Sequence, residues 1–249
     1  MFNWKDVCDD PNNPHLLHEW IKFYNSRIVK FDIFSNIDRD ERILQLCNIN
    51  SKQSLKILDV GFAEHGIEYV MKPDWFHAKL RRNPIHRVFG LDINLELIEK
   101  IRKITSLDDL LHGDATDTQV RIDGGNFDVI HAGDLIEHLS NPGDFLLFCK
   151  NNLKSSGRII ITTPNPICRY SMPTYKRQGF LANMEHTCWI SPTNMNEFCR
   201  RYGLLFLESH YKMNKKPTIK NKLRKHFIKK WKDLYFSEFQ YVLTIPQQQ

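Results

Sequence analysis

The sequence predicts an α/β domain, a mostly parallel sheet with helices on both faces. Three observations predict it. Apolar runs at 55–60, 87–93, 127–132 and 158–163 lack the in–out alternation of a half-exposed strand and read as strands buried on both sides. Segments with helical spacing separate them, as at 95–104 and 144–153. The early strands also end in, or lead to, an acidic residue: Asp59, Asp92 and Asp114. In open α/β sheets the ligand crevice lies at those carboxyl ends.

With 249 residues, 41% hydrophobic and 26% charged, the chain has the composition of a globular domain with a packed core. Residues 1–10 contain no apolar signal region, and no apolar run approaches membrane-spanning length. The six cysteines form no C-x-x-C pair and sit mostly in apolar patterns, which fits core thiols of a reducing cytoplasm rather than a zinc site. The net charge of +6 is uneven. Ten Lys/Arg and no Asp or Glu lie between Lys212 and Lys232, so the remainder carries 6 − 10 = −4.

Residues 1–50 read as an N-terminal helical cap, and 51–249 as the main domain. In the cap, a helix over 15–29 follows Pro14. A second runs from Asp38 to Cys47, with Asp38 as N-cap and Glu41 three residues on in a capping-box pattern. The first strand empties into the turn Gly61-Phe62-Ala63-Glu64-His65-Gly66, where a glycine lets the backbone approach a ligand. The stretch 71–86 reads as an insertion before the second strand. A short strand precedes Gly113-Asp114-Ala115. The strand at 127–132 leads into Gly133-Asp134-Leu135-Ile136-Glu137-His138 and then a helix that Ser156-Gly157 ends. Pro164 stops the fifth strand, and 165–187 reads as an irregular substrate loop. Ser191-Pro192 starts a helix that Gly203 ends, and strands at 204–209 and 239–245 close the chain.

Each of the three carboxylates has ordinary uses, as an N-cap, a turn former or a solvated charge. Standing in order at three successive strand ends, they suit a nucleoside. Asp92 is placed to accept from both ribose hydroxyls, and Asp114 with the Ala115 N–H to meet an adenine edge.

The series Ile57-Leu58-Asp59-Val60-Gly61, Phe89-Gly90-Leu91-Asp92, Gly113-Asp114-Ala115 and Phe127-Asp128-Val129-Ile130 resembles the class I S-adenosylmethionine-dependent methyltransferases. Leu135-Ile136-Glu137-His138-Leu139, the run from Gly157 to Asn165, and Glu185-His186-Thr187-Cys188-Trp189 are similar to one branch of them. That branch holds ubiquinone-biosynthesis O-methyltransferases and bacterial sugar and glycan methyltransferases. The resemblance spans 55–210. It implies a Rossmann-like seven-stranded sheet with the last strand antiparallel, and S-adenosyl-L-methionine as cofactor. By that likeness Asp59, Gly61 and Phe62 bracket the methionine part, Asp92 with Ile93 holds the ribose, and Asp114 with Ala115 meets the adenine. Ala132, Gly133 and Asp134 then line the floor near the sulfonium. One departure is plain: Ala63 and His65 stand where the family's first turn has glycines.

Methyl transfer to oxygen needs alignment and often a base, and His138 and His186 are the candidates, with Asp134 beside them. Either histidine can instead serve packing or a structural hydrogen bond. Asp134, Glu137 and His138 have D-x-x-E-H spacing, read as one helical face. With His186 they resemble sites that bind Mg²⁺ or Mn²⁺ in metal-dependent O-methyltransferases acting on RNA ends. Residues 219–235 read as a basic amphipathic helix inserted before the last strand. It suits packing on the domain, peripheral contact with an anionic membrane, or binding of a pyrophosphate-linked sugar or RNA phosphates. The expectation is a cytoplasmic O-methyltransferase acting on a sugar, a glycan precursor (lipid- or nucleotide-linked) or another polar small molecule. The alternatives are a metal-dependent RNA 2′-O-methyltransferase and a non-catalytic cofactor-binding module.

Overall fold

The computed structural model describes residues 38–63, 66–169, 171–179, 183–212, 234 and 236–247. The expected helix at 15–29, the turn residues Glu64 and His65, and nearly all of the basic segment at 219–235 lie outside the described residues.

The described chain opens with helix α1 (Arg39–Leu46), followed by β1 (Lys56–Val60), α2 (Ile67–Val70), α3 (Phe76–Leu80) and β2 (Arg87–Asp92). Next come α4 (Leu95–Thr105), β3 (Leu110–His112), β4 (Phe127–Gly133), α5 (Pro142–Asn152) and β5 (Leu153–Pro164). The last elements are α6 (Met172–Gln178), α7 (Pro192–Tyr202), β6 (Leu205–Lys212) and β7 (Glu238–Thr244). The seven strands form one sheet in the order β3-β2-β1-β4-β5-β7-β6. Strands β1 to β5 pair in parallel, and β7 runs antiparallel to both its neighbours, β5 and the edge strand β6. This is the Rossmann-like, seven-stranded architecture that the sequence led us to expect.

The buried strands are apolar because both faces are covered. Leu58, Ile130, Ile159 and Ile161 pack under α5 and α7 with Phe145, Phe148 and Cys199. Ile57, Val88, Val129, Ile160 and Val242 face α1 and α3 through Ile43, Leu44 and Leu80. Thus α1 closes one face of the sheet itself. Its N-cap is Asp38, whose carboxylate accepts from the Asp40 amide; no reciprocal bond from Glu41 completes a capping box. Helix α7 does carry that reciprocal pattern, between Ser191 and Asn194. Cys47, Cys149 and Cys199 are buried free thiols and Cys168 is buried as well, the core cysteines expected.

Two expectations change. The stretch 165–187, expected to be irregular, contains helix α6, which starts on Met172-Pro173; proline is tolerated in a first helical turn. The sequence 134–138 is not a helical face. Strand β4 runs through Gly133, Asp134 turns at φ +47°, and only Ile136–His138 form a short 3₁₀ turn.

Candidate functional site

Strand order reverses between β1 and β4, since β1 leads to β2 on one side while β4 flanks it on the other. Open α/β sheets bind ligands in the crevice at that switch point. A cavity of about 410 Å³ lies there. Its walls are the β1 end (Asp59–Phe62), Asp92 from β2, His131 and Gly133–Leu135 from β4, Phe76 and His77 from α3, Arg39 from α1, and His138 and Glu185.

Gly61 takes φ +77°, and a Cβ there would meet Leu135 Cδ1 at 3.3 Å. The turn therefore brings bare backbone to the cavity in a conformation that side chains resist. Gly90, one strand over, is needed for a different reason: a Cβ would stand 2.7 Å from Phe62 Cδ1. Phe62 lies across that gap, and its carbonyl accepts from the Trp75 indole at 2.9 Å. The segment read as an insertion thus fixes the turn that has lost its later glycines.

Asp92 lines the cavity at the β2 tip. Its Oδ1 accepts from the Asn94 amide at 2.9 Å, and among the described residues nothing pairs with Oδ2. Ile93 beside it is exposed and outside the lining. Asp114 and Ala115 follow β3, which pairs with β2, so they share that sheet edge. Neither lines the cavity: Asp114 Oδ1 accepts from the Thr116 amide and hydroxyl, both at 2.7 Å, and Ala115 packs in the core. Ala132 is a correction. It is fully buried in the main core and forms no floor; Gly133 and Asp134 line the cavity instead.

Asp59 is also differently placed than a free carboxylate. It is 3% exposed and held by two histidines, Oδ1 by His131 Nδ1 at 2.7 Å and Oδ2 by His77 Nδ1 at 3.0 Å. Burial pushes its pKa up, but the two imidazoles outweigh that and hold it below the usual carboxylate range.

Asp134 turns away from Glu137 to meet Arg39. The guanidinium reaches Asp134 Oδ2 at 2.6 Å, Glu238 Oε2 at 2.6 Å and Thr162 Oγ1 at 3.0 Å. Burial lowers the Arg39 pKa, but the two carboxylates raise it further, so the side chain stays charged. Burial drives the Glu238 carboxyl above its usual range against the pull of Arg39.

At the mouth, the rings of His138 and His186 meet edge to face with centroids 4.7 Å apart, and Trp189 backs His186 at 5.0 Å. Burial, then the neighbouring His138, lowers the His186 pKa, favouring the neutral imidazole. Thr187 straps this loop to the β4 turn through bonds from its amide and hydroxyl to the Glu137 carbonyl, at 2.8 and 3.1 Å. Glu137 itself is fully buried, with Oε2 accepting from Thr163 at 3.0 Å, and burial raises its pKa to about 7. One ligand atom each from Glu137, His138 and His186 lies within 4.8 Å of the others, so the sequence's four-residue set loses Asp134.

Sequence reasoning missed Arg39, His77, His131 and Glu238. His131 sits in a quoted strand, but its pairing with Asp59 needs the β1–β4 register, which no local pattern carries. His77 lay in the apparent insertion, and Arg39 in a helix without visible link to the sheet's far edge.

The residues present fit a nucleoside cofactor. Gly61 and Gly133 leave room at the switch point, Asp92 has an unpaired carboxylate oxygen, and the Nε2 atoms of His77 and His131 are buried without partners. Fold and cavity together define a class I S-adenosylmethionine-dependent methyltransferase. The chain belongs to the methyltransferase-domain family, whose profile matches residues 35–209. No curated protein matches it in sequence. Among solved structures it is similar to the Haloferax volcanii protein in complex with the methyltransferase activator Trm112, with 18% identity and a TM-score of 0.56 over 84% of this chain and 94% of that one. An S-adenosylmethionine-dependent methyltransferase from Archaeoglobus fulgidus aligns with 17% identity and a TM-score of 0.57 over 82% and 91% of the two chains. The N-methyltransferase NodS from Bradyrhizobium japonicum gives 14% identity and a TM-score of 0.51 over 84% and 95%. At these identities the likeness is one of fold.

Proposed function

We propose that the protein methylates a hydroxyl oxygen of a polar acceptor, a sugar or glycan precursor. Bound at the switch point, S-adenosylmethionine supplies a methyl group on a positive sulfur. The chain's own work is to hold cofactor and acceptor in line and to take the hydroxyl proton. Asp92 would accept from the ribose hydroxyls, and Gly61, Phe62 and Gly133 would surround the rest.

One observation carries the oxygen reading: His138 lines the cavity and meets edge to face the ring of His186, whose pKa is lowered. His186, next to the cavity-lining His138, is held toward its neutral form, and a neutral imidazole there is a base suited to a hydroxyl near neutral pH. Glu185 and Asp134 add polar groups able to accept from a sugar. Asp134 serves there as an acceptor and as the partner of Arg39. The basic composition of 212–232 supports a phosphate-bearing acceptor, on a nucleotide or lipid carrier, met in the cytoplasm or at its membrane face. Among the described residues no helix is long and apolar enough to cross a membrane.

The test is incubation of the protein with labelled cofactor and a panel of nucleotide- and lipid-linked sugars, with the methylated atom identified by mass spectrometry. His138→Ala and His186→Ala should lower turnover and spare S-adenosylhomocysteine affinity. Full activity in both variants removes them from the mechanism, and a methylated amine shifts the reading to nitrogen.

A second reading has its own support. Glu137 Oε1 and His186 Nδ1 are buried without partners and lie in one cluster with His138. Glu137, His138 and His186 would hold Mg²⁺ or Mn²⁺, as ligands of oxygen and imidazole type suit. This reading extends to an RNA ribose as acceptor. It expects loss of activity in EDTA, restoration by either ion, and salt-sensitive RNA retention; metal-independent turnover without RNA retention discards it.

A further inference from the structure

We infer that a second cavity, between α1 and the turn after α3, is a binding site for a small zwitterion with an apolar body, of which an amino acid with an aliphatic side chain is the simplest case. Neither the cofactor nor the methyl acceptor enters into it.

This cavity of about 340 Å³ shares no lining residue with the one at the switch point. Its apolar lining is Leu44 of α1, Ile49 and Pro84, with Leu44 3% and Ile49 7% exposed. The same two helices carry Arg39, Phe76 and His77 to the switch-point cavity, so an occupant here would sit between elements that build the candidate active site.

Hydrogen bonds brace the walls from behind. The Asn83 amide donates to the Ile49 and Ser51 carbonyls at 3.1 and 3.3 Å. The buried His86 ring bonds through Nδ1 with the Leu55 amide at 3.2 Å and through Nε2 with the Ile49 carbonyl at 2.8 Å. These bonds tie the chain after α1 to the chain before β2, so the space is preformed, as ligand sites usually are.

The charges say what would fill it. Most of those nearby are already committed. The Lys79 ammonium, on the lining, is held by Asp40. Arg81 turns away to Asp109 at 2.8 Å and to the Val88 carbonyl at 2.7 Å. Glu41 and Arg82 differ. Both are exposed and both line the cavity, yet among the described residues neither side chain has an ion pair or a hydrogen bond, with the other or with any third group. One wall thus offers a free carboxylate, another a free guanidinium, and the space they border is aliphatic. A plain anion would gain Arg82 but face Glu41, and a plain cation the reverse. A zwitterion meets both with complementary charge.

The test is a ligand-observed NMR titration of the full chain with L-leucine, with 4-methylpentanoate, which lacks the ammonium, and with 3-methylbutylamine, which lacks the carboxylate. Exposed charge pairs contribute little each, so leucine should bind with a Kd on the order of 1 mM, about three- to fivefold tighter than either analogue. Arg82→Gln should weaken leucine to the level of the amine and leave the amine no weaker. Glu41→Gln should weaken leucine to the level of 4-methylpentanoate and leave that acid no weaker. Failure of leucine to bind well above millimolar concentration would overturn the inference. So would analogues that bind as tightly as leucine, or leucine binding that neither variant changes. Leucine that S-adenosylhomocysteine displaces and both variants leave alone lies in the switch-point cavity, which overturns it too. Both side chains are exposed, so each variant should melt within about two degrees of the parent, and a change in affinity then reports the site.

Discussion

Replacing Arg39 with alanine probes the joint between the N-terminal helix and the sheet's last strand. Arg39 contacts Glu238 and Asp134 at 2.6 Å each, and Thr162 at 3.0 Å. Glu238 is 7% exposed, whereas the Asp134 side chain is 48% exposed. Losing the partner of an exposed carboxylate matters little, so nearly all the effect comes from Glu238. A buried charge stripped of its partner destabilises by about 3–5 kcal/mol. For a chain of this size that lowers the melting temperature by roughly 10 °C. The sign with pH follows from protonation. Without Arg39, Glu238 escapes the penalty by taking a proton, so the difference from the parent protein should shrink as pH falls toward the ordinary carboxylate range. Glu238→Gln in the Arg39→Ala background should recover most of the loss. Urea denaturation at several pH values measures all of this. A loss below about 1 kcal/mol, or one independent of pH, would refute the reasoning.

Three further outcomes are expected. Burial raises the Glu137 pKa from 4.5 to about 7, so the metal-free folded protein binds a proton that the unfolded chain releases. Stability should therefore fall as pH rises from 4.5 to about 7, by about 3 kcal/mol, and Glu137→Gln should flatten that slope; a rise with pH in EDTA contradicts the burial argument. Asp92→Asn should weaken S-adenosylhomocysteine about tenfold or more by calorimetry while leaving the melting temperature within a degree or two of the parent's, and unchanged affinity would remove Asp92 from the ribose role. Gly90→Ala places a Cβ 2.7 Å from Phe62, so it should displace that ring, lower stability by about 1–3 kcal/mol and weaken cofactor binding; a neutral effect on both would show that Phe62 does not fix the turn.

Most of the sheet was legible because its strands are buried on both faces and so carry unbroken apolar runs. The cap at Ser191 and the stop at Gly203 were legible because they are local chemistry. Helix α6 was not legible within the stretch expected to be irregular, since proline signals both a loop and a helix start. The D-x-x-E-H spacing suggested one face, yet Asp134 belongs to Arg39. Helical spacing has meaning only where the backbone is helical, and here strand β4 ends at Gly133.

By itself the sequence determined the fold class and the acidic tips of successive strands, because burial, period and turn chemistry act over a few residues. Only the tertiary structure decided what those tips do. The β1–β4 pairing sets His131 opposite Asp59, a distant segment swings His77 onto the same carboxylate, and Arg39 crosses the sheet to Glu238. Such meetings join residues 18, 72 and 199 positions apart, and hydrogen bonding between residues so separated leaves no period in the chain to read.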